Sequence, residues 1–181
     1  SFANADLIAS AYTGALTVTG SGSTGSFTTG TATSSISSTG ATSIIATAMA
    51  DNQTLTTSGA GATTITGLKA NLSDTTTAAQ NITVADVAAI TLALGTDTTG
   101  TDIITANALT DGDVLSLTGS NDATVALTAG DVTAESYVGN LTVNATTGTN
   151  VITTGSGNDI IDGGAAADII DDGAGNDIIT G

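Results

Sequence analysis

Apolar residues recur singly or in pairs along the whole chain, separated by stretches of Thr, Ser and Gly. We call these short apolar positions apolar marks. Marks of one or two Ile, Val, Leu or Phe residues between such stretches predict short strands, and the frequent glycines argue against long helices. Between residues 21 and 67 the marks stand at Phe27, Ile36, Ile44, Ile45, Leu55 and Ile65. We therefore predict an all-β protein in which residues 1–135 form a β-rich region of solenoid or sandwich type.

One segment, residues 82–94, fits two patterns. Val87, Ile90 and Leu94 fall on one face of a helix, whereas Ile90, Leu92 and Leu94 alternate as they would in a strand. The pattern favours a strand and leaves a helix as the alternative.

The C-terminal stretch, residues 155–181, has a strict period. It reads GSGNDIIDG, GAAADIIDD and GAGNDIITG, which places Asp159, Asp168 and Asp177 at the same position of three successive nonads. Calcium takes roughly six to eight oxygen ligands, so a loop with one carboxylate and several inward-turned carbonyls suits it, and glycine permits such a turn. Two nonads make one turn of a flattened parallel coil, so every second loop stacks on the same edge. We expect Asp159 and Asp177 to bind one ion together.

Each of these aspartates precedes an Ile-Ile pair that predicts a very short strand. The second isoleucine of each pair should point into the core; these are Ile161, Ile170 and Ile179. The first isoleucine then points outward, so that Ile160 stacks with Ile178 on one face and Val151 with Ile169 on the other. Such an apolar ladder is a candidate surface for packing between copies, although β-branched residues also simply favour strands.

The nonads resemble the RTX nonapeptide G-G-x-G-x-D-x-U-x, a calcium-binding parallel β-helix repeat. This resemblance implies a calcium-dependent β-roll, placed at residues 136–181, in a secreted protein. Thr154, Ala166 and Asp172 depart from the repeat's glycines. The metal-binding residues expected from the repeat are Asp159, Asp177, Asp168, Gly155, Gly157, Gly164, Gly173 and Gly175.

Weaker units precede these. Residues 97–105 resemble residues 145–153, so Asp102 and Asn150 join the expected metal ligands. Asn150 stands two nonads before Asp168 and could share its ion through a neutral oxygen. A further evenly spaced set, one nonad between members, allows either calcium ligation or ordinary turn roles; it consists of Asp113, Asp122 and Asp131.

The net charge of the chain limits the classes of molecule that it can bind. Asp and Glu number 17 against the single base Lys69, which gives a formal charge of −16. Nucleic acid and anionic lipid both need basic contacts, so we expect neither as a partner; no apolar run is long enough for a membrane helix. The scattered Asp6, Asp51, Asp74 and Asp86 are expected to be exposed, solubilising acids.

Catalysis is not expected. The chain contains no His and no Cys, which rules out Ser/His/Asp and Cys/His arrangements and a His-ligated zinc site. Paired carboxylates could act as acid and base, but the regular period of the C-terminal acids is better explained by calcium.

A long-range similarity favours a repetitive assembly. Residues 6–18 align without gaps on residues 131–143, and solenoids or tandem arrays readily produce such self-similarity. We expect a parallel β-solenoid, secreted by a type I-like route, that assembles with copies of itself, laterally or head to tail, into a bacterial surface layer or an extracellular filament. We also expect the chain to continue beyond Gly181. The alternative is a calcium-folded segment of a larger RTX-like toxin, enzyme or adhesin, exported by a type I-like route.

Overall fold

The computed structural model describes residues 6–20, 25–97 and 100–181, which form nineteen β-strands. Successive strands alternate between two sheets, and every strand pair is parallel. Two strands therefore make one turn, and the chain is an all-β parallel β-solenoid of about nine turns. This confirms the predicted fold class, and it gives the N-terminal region the solenoid rather than the sandwich form.

The first sheet holds the ten odd-numbered strands in sequence order: β1 (Leu7–Ile8), β3 (Ser26–Thr28), β5 (Thr42–Ile45), β7 (Thr63–Leu68), β9 (Gln80–Val84), β11 (Asp102–Thr105), β13 (Ala123–Leu127), β15 (Leu141–Ala145), β17 (Ile160–Asp162) and β19 (Ile178–Thr180). The second sheet holds the nine even-numbered strands: β2 (Leu16–Gly20), β4 (Ser34–Ser38), β6 (Thr54–Gly59), β8 (Asn71–Thr76), β10 (Ala89–Ala93), β12 (Val114–Thr118), β14 (Asp131–Thr133), β16 (Val151–Thr153) and β18 (Ile169–Asp171).

A continuous column of apolar side chains runs through the first sheet. Because parallel strands stack in register, one inward position is repeated in every turn. The column contains Leu7, Phe27, Ile44, Ile65, Ile82, Ile104, Val125, Val143, Ile161 and Ile179. A single row of mostly β-branched residues thus builds the core with few aromatic side chains.

The inward positions of both sheets become less buried at the last turns. Ile161 is 0% exposed and Ile170 is half-buried, whereas Ile179 is 49% exposed. The outward positions behave as predicted: Ile160 pairs with Ile178, Val151 pairs with Ile169, and all four side chains are exposed.

The ambiguous segment forms strands. Val84 ends β9 and Ala89 begins β10, with only a short connection between them, so the strand prediction is confirmed and the helix alternative is wrong. The part of the chain that the structure describes contains no helix that is long and apolar enough to cross a membrane.

The similarity between residues 6–18 and residues 131–143 is also a structural one. The N–H of Tyr12 donates to the carbonyl of Ala9, and the N–H of Tyr137 donates to the carbonyl of Ala134, at 2.8 Å in both places. Tyr12 is nevertheless 49% exposed and Tyr137 only 1%. The same turn is therefore uncovered at its first occurrence and covered by neighbouring turns at its second.

Candidate metal centre

Every second nonad loop stacks on the same edge of the coil, as the period predicts. The carboxylate Oδ1 of Asp177 accepts a hydrogen bond from the N–H of Asp159 at 2.8 Å. In the same way, Oδ1 of Asp159 accepts from the N–H of Leu141 at 2.8 Å. Each carboxylate is thereby fixed against the preceding turn by one oxygen, which leaves its second oxygen free to bind something else.

Close backbone contacts explain the glycines of these loops. A Cβ built on Gly175 would lie 1.8 Å from the carbonyl oxygen of Gly157, and one on Gly173 would lie 2.0 Å from that of Gly155. Since Cβ atoms do not approach backbone oxygens so closely, only glycine allows this stacking. The turns therefore bring rows of carbonyl oxygens near the aspartates.

The second oxygen of Asp159 marks the candidate site. Asp159 is almost fully buried, and its Oδ2 atom has no hydrogen-bond partner. An unpaired buried carboxylate oxygen is costly unless a cation compensates it. Calcium suits this oxygen together with the nearby carbonyl rows, and the residues present therefore fit the ion.

The opposite edge carries Asp168 and Asn150. Oδ1 of Asp168 accepts from the N–H of Asn150 at 2.9 Å, which confirms that these two residues stack. The side-chain amide nitrogen of Asn150 donates to the carbonyl oxygens of Thr147 and Gly163, both at 3.2 Å, while its Oδ1 atom has no partner. In this orientation the nitrogen of Asn150, not the expected oxygen, faces the surrounding acceptors.

Two other glycines of the repeats, and an alanine that replaces a repeat glycine, also lie in the roll. Gly164 has a φ of +83°, and Gly155 lies so close to the carbonyl of Tyr137 that a Cβ would approach it to 1.9 Å. Ala166 adopts a φ of +156° without being glycine.

Within the described ranges, no three acidic side chains converge on one point, so any ion here would rely on carbonyl oxygens in addition to carboxylates.

Asp102 occupies the same edge as Asp159, three turns earlier. Its Oδ1 accepts from the N–H of Gln80 at 2.7 Å, as the later aspartates do from their own preceding turns. Its Oδ2, however, accepts from the side-chain amide of Asn121 at 3.1 Å. The backbone geometry of a repeat aspartate is thus retained, with an amide donor beside the second oxygen.

The other evenly spaced aspartates accept hydrogen bonds from backbone N–H groups. Asp113 accepts from the N–H of Thr110, Asp122 from the N–H of Asn140, and Asp131 from the N–H of Val151. The Asp113 contact lies within one turn and fits the turn interpretation, whereas Asp122 and Asp131 connect adjacent turns of the coil.

The expectation of exposure for Asp74 is wrong. Asp74 points into the coil from β8 and is buried, where it accepts hydrogen bonds from Thr57 and Thr76. The sequence does not reveal this burial, because a lone acid in a Thr-rich strand gives no sign of which face it occupies. The contacts of Asp97 and Gln80 were also not predicted, because their partners belong to other turns of the coil.

Comparison with known protein families adds an independent finding. Residues 144–179 match the family described as the RTX calcium-binding nonapeptide repeat, in four copies, and this match covers about a fifth of the chain. Comparisons with curated proteins and with solved structures gave no match. Proteins with these repeats are typically secreted or extracellular, and typically structural rather than catalytic. The stacked aspartate loops at the C-terminal end of this solenoid are therefore RTX calcium-binding nonapeptide repeats.

Proposed function

We propose that this chain is a secreted calcium-binding structural protein that self-assembles into a bacterial surface layer or an extracellular filament, and that it has no catalytic role. The observation that carries the calcium part is the buried, unpartnered Oδ2 of Asp159 within a column of stacked repeat loops. Only the folded coil brings these loops together, so calcium would stabilise the folded state by mass action.

The ligand set proposed for the ion on this edge is Asp159 and Asp177 with the carbonyl oxygens of their glycine loops. Asp168, with Asn150, would form a weaker site on the opposite edge. The formal charge of −16 supports this assignment, because bound calcium also reduces the self-repulsion of an acidic coil.

Self-assembly is supported by the outward faces of the roll. Ile160 and Ile178 form an exposed apolar pair on one sheet, and Val151 with Ile169 forms a second pair on the other. Two faces of one flat coil thus carry matching apolar stripes, which suits lateral packing between copies.

The test of assembly is electron microscopy and light scattering of the purified chain with calcium and with chelator. The double substitution Ile160→Thr and Ile178→Thr should abolish calcium-dependent assembly, while calcium binding, measured by calorimetry, is retained. Ile103→Thr is the matched control, because Ile103 is an exposed isoleucine on the same sheet without an isoleucine in the adjacent turns. Unaltered assembly of the double variant would contradict the lateral model.

A second candidate function is a calcium-folded segment of a larger RTX-like protein, exported by a type I-like route. The confinement of the family match to residues 144–179 favours it. Imaging separates the two functions: calcium-dependent sheets or fibres support building material, and persistent monomers at saturating calcium support the exported segment.

A further inference from the structure

In the described chain, buried polar atoms without a hydrogen-bond partner occur both inside and outside the RTX repeats. One group lies in the RTX repeats, at Oδ2 of Asp159 and Oδ1 of Asn150. The other lies outside the repeats, at both carboxylate oxygens of Asp97, at Oη of Tyr137 and at Oε1 of Gln80. Native proteins leave few such atoms unpaired, so each group needs an explanation, such as a bound ion or water. The second group falls outside residues 144–179.

These atoms converge on one edge of the coil. Asp102 accepts from the N–H of Gln80 at 2.7 Å, and Asn121 accepts from the N–H of Asp97 at 2.6 Å while donating to Asp102 at 3.1 Å. Three successive turns are therefore connected through Asp102 and Asn121.

Tyr137 reaches this cluster from the turn that follows. Its ring packs over Gly119, where a Cβ would lie 3.1 Å from Cε2 of Tyr137. Burial, and then the charges of Asp102, Asp122 and Asp97, raises the pKa of the Tyr137 hydroxyl. The hydroxyl is thus close to carboxylates but donates to none of them, although the residue is only 1% exposed.

The charge around Asp97 is uncompensated by protein groups. Burial, followed by the negative charge of Asp102, by hydrogen-bonding contact with the Asp102 side chain and then by the charge of Asp74, raises the pKa of Asp97 to about 7. The chain offers a single basic side chain, Lys69, for its 17 acids. Oxygen atoms that are hard, anionic and unpaired are the ligands that calcium prefers.

We propose that a calcium ion binds between Asp97 and Asp102, close to Tyr137, at a site outside the RTX repeats matched at residues 144–179. The two carboxylates supply the charge, and Tyr137 and Gln80 supply neutral oxygens. Asp74 contributes through its negative charge rather than as a ligand. The site would fasten the middle of the solenoid as the repeats fasten its C-terminal end.

Tyr137 allows ion binding at this site to be measured by luminescence. The chain has two tyrosines and no tryptophan, so in a Tyr12→Phe background Tyr137 alone can sensitise terbium luminescence. Terbium titrated at pH 8 should give sensitised emission that excess calcium reverses. Equilibrium dialysis with calcium at the same pH then counts the ions bound per chain.

Two substitutions separate this site from the repeats. Asp97→Asn should lower the calcium count by one ion per chain and remove part of the sensitised emission. Asp86→Asn, which removes one charge from an exposed aspartate, should change neither quantity. Asp159→Asn should leave the emission that originates at Asp97.

The outcomes decide between an ion and a shared proton. An Asp97→Asn protein with the full calcium count would overturn the proposal and assign a proton to the carboxylate pair. Should Asp97→Asn fail to fold, as judged by circular dichroism, the Asp159→Asn protein still reports on the site. Loss of all calcium-reversible emission in that folded variant would also overturn the proposal.

Discussion

Two adjacent isoleucines of β17 offer a test of how the core and calcium binding are coupled. Ile161 is 0% exposed in the column of inward side chains, and Ile160 is 47% exposed on the outer face. Ile161→Ala and Ile160→Ala remove the same three carbons and cause the same loss of strand propensity. The difference between the two variants therefore isolates burial.

The magnitude follows from the buried carbons. At about 0.8 kcal/mol per buried CH₂, Ile161→Ala loses about 2.4 kcal/mol of transfer free energy, and the residual cavity raises the cost to about 3 kcal/mol. Ile160→Ala loses about half the transfer term, about 1 kcal/mol. The difference of about 2 kcal/mol corresponds to a factor of about 30 in the folding equilibrium.

Calcium linkage converts this factor into a measurable shift. If folding of the roll is coupled to two ions, the calcium concentration at the folding midpoint should rise about fivefold more for Ile161→Ala than for Ile160→Ala. The assay is a calcium titration of chelator-treated protein followed by far-ultraviolet circular dichroism. Equal midpoints for the two variants would refute the reasoning, because burial would then make no difference to the calcium-coupled state.

Three further predictions concern the loops. Asp159→Asn should weaken calcium binding about 10- to 100-fold by calorimetry, since it removes a buried charged ligand worth about 1.5–3 kcal/mol. The control, Asp162→Asn, removes an exposed carboxylate and should change the calcium affinity less than about twofold. Equal effects of the two substitutions would contradict the assignment. Ala166 has a φ of +156°, and such a backbone conformation costs a non-glycine residue about 1–3 kcal/mol, whereas the greater freedom of glycine in the unfolded chain costs about 0.5–1 kcal/mol. Ala166→Gly should therefore raise the free energy of unfolding by about 1 kcal/mol in urea titrations; a loss of stability would contradict this. Gly155→Ala should lower the free energy of unfolding by more than about 2 kcal/mol, because its Cβ would lie 1.9 Å from a carbonyl oxygen. Ser156→Ala, at an exposed position, serves as the control. A Gly155→Ala protein of unchanged stability would show that the loops do not stack this closely.

The C-terminal coil could be predicted from sequence because period and chemistry agree there. The regular spacing of Asp159, Asp168 and Asp177 fixes both the turn length and the facing of the strands. The observed pairs Ile160 with Ile178 and Val151 with Ile169 follow directly. Whether the predicted residues actually ligate calcium stays a prediction for the titrations above.

The N-terminal region was less predictable because its turns differ in length. Ile44 pairs with Ile65 across one of the longer turns, while Leu55 pairs with Leu72 across a shorter one. The turn that joins Ala89 to its partner Val114 is longer still. No fixed period is therefore visible in this part of the sequence. Apolar marks identified strands, but only the register shows that they stack as one solenoid.

The orientation of single polar side chains also lay beyond the sequence. Asp74 resembles a surface acid until the register turns it inward, and the amide of Asn150 can present either its oxygen or its nitrogen. Both outcomes depend on neighbours that belong to other turns of the coil and are distant in the chain.

The unequal turns have a consequence for the dimensions of the molecule. Each turn advances the coil by one strand spacing, about 4.8 Å, whatever the length of its loops, so about nine turns span about 4 nm. Extra residues at the edges widen the cross-section and leave this span unchanged. The coil thus acts as a molecular ruler, whose reach is counted in turns and whose edges can accept inserted sequence without a change in length.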